Sequence, residues 1–304
     1  MKNYSIAEFG SQLSSNYDKY SDKDLLIATD NVSDLIELHK QYTALGWSVS
    51  SYTYSKLKYL SSKGSLFLSH LKLNSNIIFD PENTFKQIVD KHLQKEDYNN
   101  ELVDSINYFD IINYIPDLQL GYAWFADCFY VGFRNFLIFE NANKHIYEFS
   151  YLKMIESLLK ENKISMKEYH ILRELRVVKY NYRANILDEL PQKSFISSLL
   201  PIAKRFNIIP KAFFVNPQHY QNTVLDIIHC RHINGYQRLR LLEGIYCSKE
   251  INIPEIKRIV SNPQFYASKL SDNTFLDGLI NILEKGEFDN LIPSMIKKKY
   301  ISMQ

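Results

Sequence analysis

The spacing of apolar residues changes once along this 304-residue chain, near residue 84, and that change bounds what it can fold into. Before it, short apolar runs alternate with helical patterns. Residues 5–9, 25–28, 47–53 and 77–79 read as strands. Between the second and third, Leu35, Leu38, Tyr42 and Leu45 recur at helical spacing, and Gly46 supplies the left-handed residue that closes such a helix. Residues 56–73 read as one or two helices broken near Gly64. This alternation predicts a small mixed α/β unit over 1–84.

Beyond residue 84 the strand signals fade. Helical patterns cover 102–114, 118–143, 146–159, 166–182 and 194–205, then 220–233, 236–247, 253–261 and 273–285. Pro116, Pro191 and Pro210 fall near boundaries, and Pro201 predicts a kink inside its helix. The expected class is α+β: the N-terminal unit, a helical bundle over 96–190, and a C-terminal helical region over 191–304. With 22 Tyr and 18 Phe, these helices need large cores. The 36 basic residues against 34 acidic ones leave a net charge of +2, which excludes a protein that coats nucleic acid unselectively but permits a local basic surface. Cys128, Cys230 and Cys247 are too few and too dispersed for a disulfide framework or a structural zinc site. No apolar run approaches the roughly 18 residues of a membrane span, so a soluble, cytoplasmic protein without membrane contacts is expected.

The chemistry-bearing stretch is Gly10-Ser11, followed after ten residues by Asp22-Lys23-Asp24 and an apolar strand. Asp22 and Asp24 stand two apart at a strand start, so their side chains share a face with Cα atoms roughly 6–7 Å apart. Carboxylates so placed are expected to hold a pair of Mg²⁺ ions, which in two-metal sites lie about 3.5–4 Å apart. At Gly10 a missing Cβ lets backbone N–H groups approach phosphate oxygens, and the Ser11 hydroxyl adds a donor.

Phe9-Gly10-Ser11, ten residues, then Asp22-x-Asp24-Leu25-Leu26-Ile27 resembles the signature of the polymerase-β-like nucleotidyltransferase superfamily, particularly its minimal nucleotidyltransferases. The run from Gly64-Ser65-Leu66 to Ile77-Ile78-Phe79-Asp80 is similar to the end of such a domain. The resemblance covers about the first 80 residues. It implies a magnesium-dependent enzyme that moves an NMP group from an NTP, usually ATP, to a hydroxyl on a protein, a small molecule or RNA. Asp22 and Asp24 would be its catalytic, metal-holding residues. Gly10 and Ser11 would bind the nucleotide's β- and γ-phosphates, and the helical remainder would help bind the acceptor.

Two departures accompany it. Gln12-Leu13-Ser14-Ser15 stands where the family usually has an Arg-Gly pair. Strand 47–53 carries no acid, although active members usually place a third carboxylate there; Asp80 and Glu82 are the next candidates. Losing a catalytic metal ligand commonly costs several kcal/mol of transition-state stabilisation, at about 1.4 kcal/mol per factor of ten. A second function class therefore stays open, a catalytically degenerate module that senses nucleotide or binds a protein.

Other clusters carry weaker signals. Arg173, Arg176, Lys179, Tyr180 and Arg183 fall on one face of a predicted helix, a basic stripe about 15 Å long. It suits a triphosphate, an acceptor RNA backbone, or an ordinary exposed face partnered by Glu168 and Glu174. Lys297-Lys298-Lys299 reads as a solvated tail. His229-Cys230-Arg231-His232 lacks the second ligand pair of a metal site. Arg134 and His145 are too far apart for the Arg-x4–6-His ribonuclease motif of some accompanying bundles. The aromatic run from Tyr122 to Phe133 reads as core, and His70 is the one candidate general base beyond the aspartates. A second copy or a protein partner would bind through the helical region.

Overall fold

The computed structural model describes residues 3–13, 18–208, 212–229 and 233–251, together with Ile256, Lys257, Val260 and Gly278. The helices expected at 253–261 and 273–285, residues 230–232 and the lysines at 297–299 lie outside the described residues, those four single positions aside.

The N-terminal unit runs β1 (Ser5–Phe9), β2 (Asp24–Ala28), α1 (Val32–Ala44), β3 (Ser48–Tyr52), α2 (Tyr54–Ser62), α3 (Leu66–Asn74), β4 (Ser75–Phe79) and α4 (Thr84–Asp90). The strand order is β3-β2-β1-β4. β1 is antiparallel to both neighbours, while β2 and β3 are parallel. Leu25, Leu26 and Ile27 are all fully buried because β2 is covered on both faces, which is why it reads as an unbroken apolar run. On one face Ile6, Leu25, Ile27 and Val49 meet Leu35, Leu38 and Tyr42 of α1. On the other, Ala7, Phe9, Leu26 and Ala28 meet Leu57, Leu68, Leu71 and Phe85 of the remaining helices. Asn31 caps α1, its side-chain oxygen accepting from the Ser33 and Asp34 N–H groups.

The register decides where the chemistry sits. Asp24 lies opposite Phe9 on one side and beside Ser48 on the other. Ser5 pairs with Ala28 at the far end of the sheet, roughly 13 Å away for a five-residue strand.

The helical region runs α5 (Asn99–Asn107), β5 (Tyr114–Pro116), α6 (Gln119–Ala142), α7 (Tyr151–Lys160), α8 (Met166–Arg183), α9 (Lys193–Arg205), β6 (Phe213–Val215), α10 (Pro217–Ile228) and α11 (Gly235–Ser248). α6 is the central helix, apolar around most of its circumference. One continuous apolar core includes Tyr98, Trp124, Phe129, Leu175, Leu199, Tyr220, Leu242 and Val260, so the stretches before and after residue 191 pack on each other. The helix expected over 102–114 stops at Asn107, passes through a 3-10 turn and enters β5, which pairs parallel with β6. The helix expected from 146 begins at Tyr151, because His145 takes a positive φ and Glu148 accepts from the Phe149 and Ser150 N–H groups. Pro201 lies inside α9. Among the described residues no helix is long and apolar enough to cross a membrane.

Candidate functional site

The site forms where the end of β1 meets the start of β2. Gly10 has φ +86°, and a Cβ built on it would lie 2.8 Å from Oδ2 of Asp24. The left-handed φ and this close approach both favour glycine there. The chain then makes a 3-10 turn over Gly10–Leu13, in which Ser11 is half-buried. The Gln12 side-chain amide donates to the Asp24 carbonyl at 2.6 Å and the Phe9 carbonyl at 3.3 Å, holding the turn against β2. A Gly10→Ala variant combines left-handed strain of about 1–2 kcal/mol with displacement of the Asp24 carboxylate. Its melting temperature is expected to fall by about 5 °C in a thermal melt.

Burial pushes the Asp24 carboxyl up to about 6, and the neighbouring Asp22 charge adds to this. A hydrogen bond with Ser48 and the charges of Arg134 and Lys179 oppose the rise. Asp22 is exposed just before β2. The sequence pattern therefore does bring Gly10, Ser11, Asp22 and Asp24 to one end of the sheet.

The basic stripe on α8 divides. Arg176 donates to Asp18 at 2.5 Å and to the Ser21 hydroxyl at 2.8 Å, fastening the 18–21 turn to the helix. Lys179 donates to Asp22 at 3.4 Å, and its ammonium lies 5.6 Å from the Tyr130 ring centre. Both cations are buried at the junction of the two regions. Arg183 instead donates to Asp127 inside the helical core at 2.6 Å. Arg173 is exposed beside the Tyr169 ring. An open strip along α8 for an RNA backbone is thus not what these four residues build. Of the four, only Lys179 reaches a site carboxylate, Asp22.

Sequence reasoning missed two contributors. Arg134 of α6 acts electrostatically on both Asp24 and His70, while its Nη2 donates to the Phe149 carbonyl at 3.1 Å. The available signal was its isolation, since it is the one Lys or Arg within α6. Ser48 is the other, visible only once β3 is registered beside β2.

Among the described residues no third acid joins Asp22 and Asp24 in a metal-holding group. Asp80 lies at the opposite end of the sheet, where it accepts from the Ser5 hydroxyl at 2.7 Å and from the Phe85 and Lys86 N–H groups. Glu82 accepts from the Asn3 side chain. Neither reaches Asp24. His70 stacks on Phe149 at 4.6 Å and meets Phe9 edge-on. Burial, reinforced by Arg134, pushes its imidazole down to about 3, so it is a poor proton acceptor near neutrality.

No group of three or more His, Cys, Asp or Glu placed to hold a metal occurs among the described residues. Mg²⁺, however, is usually held by one or two carboxylates together with substrate phosphates. The Asp22–Asp24 pair fits one such ion arriving with a nucleotide. An uncharged Ser48 stands beside Asp24 on the neighbouring strand.

No family model, curated protein or solved structure matches this chain. The functional reading rests on the site itself.

Proposed function

We propose that the chain is a magnesium-dependent nucleotidyltransferase, moving an NMP group, AMP foremost, from an NTP to a hydroxyl acceptor in the cytoplasm. The observation that carries this reading is the meeting of Gly10, flush against Asp24, with Asp22 and the cation Lys179. Asp22 and Asp24 hold Mg²⁺, and Gly10 and Ser11 lie against the β- and γ-phosphates. When bound, the ion offsets charge on the α-phosphate and the departing pyrophosphate. Lys179, released from Asp22, donates to a phosphate oxygen. Arg134 adds positive charge on the side of Asp24. The acceptor oxygen attacks the α-phosphorus as its proton passes to solvent, the bond from the α-phosphorus to the bridging oxygen breaks, and pyrophosphate leaves. The acceptor is a protein side chain, a small molecule or an RNA end.

A second reading is favoured by Ser48 and by the remoteness of Asp80: a module that binds Mg²⁺-NTP without turning it over. Incubation of α-phosphate-labelled ATP with Mg²⁺ and a cell extract separates the two. Label transferred by the wild type and lost in Asp22→Ala supports the transferase, and the labelled molecule names the acceptor class. Lys179→Ala is expected to raise KM for ATP about tenfold, the size of one lost charge-assisted hydrogen bond. Mg²⁺-dependent ATP binding without transfer from any NTP selects the sensing module. Absence of binding ends both readings.

A further inference from the structure

A second charged feature lies outside this site. α2, α4 and the segment leading to Lys95 enclose a groove of about 820 Å³. Lys58, Lys63, Lys91 and Lys95 line it, and no acidic residue does. The remaining polar lining includes serine hydroxyls and the amides of Gln87 and Gln94, which carry no charge. Lys95 has a carboxylate partner in Glu101. In a chain whose net charge is only +2, Lys58, Lys63 and Lys91 on a groove whose lining includes no acid, with Lys95 already paired, are a concentration of potential that composition hides.

The rim adds an aromatic element. Tyr59 of α2 is 53% exposed. The Lys56 ammonium lies 5.0 Å from its ring centre and that of Lys63 lies 5.8 Å away. Lys63 therefore belongs to both the groove and the tyrosine. A solvent-facing ring flanked by ammonium groups, beside a groove of lysines, offers the two components that bind single-stranded nucleic acid: cations along the backbone and a face on which an unpaired base stacks. The volume far exceeds what one inorganic phosphate fills. An acidic peptide matches the charge but makes no use of the ring.

We propose that the α2–α4 groove binds single-stranded RNA, with Lys58, Lys63 and Lys91 against the phosphates and Tyr59 stacking on a base. This assignment stands apart from the reading of Asp22 and Asp24, so failure of transferase activity leaves it intact.

The test is fluorescence anisotropy of a short labelled uridine oligomer with the full chain, titrated across salt concentrations. Lys58→Gln/Lys63→Gln/Lys91→Gln, all at surface positions, is expected to lower the slope of log K against log salt by about 2, at about 0.7 per lost phosphate contact. Tyr59→Ala is expected to weaken the single strand roughly tenfold and a duplex of the same sequence hardly at all. A thermal melt matching wild type confirms that each variant is folded. The proposal is overturned if the triple variant keeps the wild-type salt slope, if Tyr59→Ala weakens strand and duplex equally, or if poly-glutamate binds more tightly than the oligomer. Absence of oligomer binding at low salt overturns it as well.

Discussion

Asp127→Ala is expected to lower the melting temperature by about 10 °C. Asp127 is fully buried on α6 and accepts from Arg183 at 2.6 Å and Arg240 at 2.7 Å. Burial alone would raise its carboxyl, but the two guanidinium charges outweigh that and hold it at about 2. Arg240 is itself fully buried; its other Nη lies 3.1 Å from Glu243, which accepts from the Tyr182 hydroxyl. Without Asp127, Arg183 loses that carboxylate and Glu243 is left as the partner of Arg240. Removing one partner of such a buried cluster costs about 3–5 kcal/mol, at about 2–4 °C per kcal/mol for a chain of this order of size. Asp127→Asn keeps the shape without the charge, so it should fall nearly as far, whereas Arg173→Ala on the exposed face should not move. The depressed carboxyl also sets a direction with pH. Its contribution is present above the unfolded value of about 3.8 and is lost as pH falls toward 2, so the gap between wild type and Asp127→Asn should close in acid. An Asp127→Asn melt within a degree or two of wild type at neutral pH would show that this cluster does not hold the core together.

The second large effect splits stability from activity at Asp24. Asp24→Asn is expected to remove nucleotidyl transfer by roughly 10³-fold or more, the loss of a charged ligand to Mg²⁺. In a chelator the same variant should melt higher than wild type at neutral pH. The sign follows from the carboxyl's rise to about 6: the folded state holds the proton more tightly than the unfolded one, so stability falls as pH climbs from about 4 to 6. The penalty at neutral pH is at most about 2 kcal/mol for this half-buried group. Near pH 4 the advantage of asparagine should vanish, since the folded wild type is already protonated there. A variant that melts lower at pH 7 in chelator contradicts the electrostatics, and one that retains transfer contradicts the assigned role.

What the sequence made legible follows the range of the interactions concerned. β1, β2 and α1 were readable because their signals are local: an apolar run, a 3.6-residue period, and a glycine at the end. The nearness of Gly10 to Asp24 was readable because antiparallel β1 and β2 return the chain to the same place. The β5–β6 pair was not, as its three-residue strands are nearly a hundred positions apart and neither is long enough to show a period. The fate of the α8 stripe was hidden for a similar reason. Helical spacing gives a shared face, but Arg183 lies roughly 10 Å further along the axis than Arg176, past the N-terminal unit and within reach of Asp127. The neutral neighbour of Asp24 needed the parallel register of β3, and the lysine groove needed α2 and α4 to come together.

The contact between Gly10 and Asp24 also constrains how this sequence can drift. With aspartate in place, a side chain at position 10 both strains the backbone and pushes the Asp24 carboxylate aside. Asp24 has an easy exit: a single base change makes asparagine, and the electrostatics favour that change in the unliganded protein. A lineage that had given up cation binding would gain stability by taking the exit, while the left-handed φ at position 10 would still favour glycine. A chain that keeps both carries a standing cost, which Ser48, Arg134 and Lys179 offset in part.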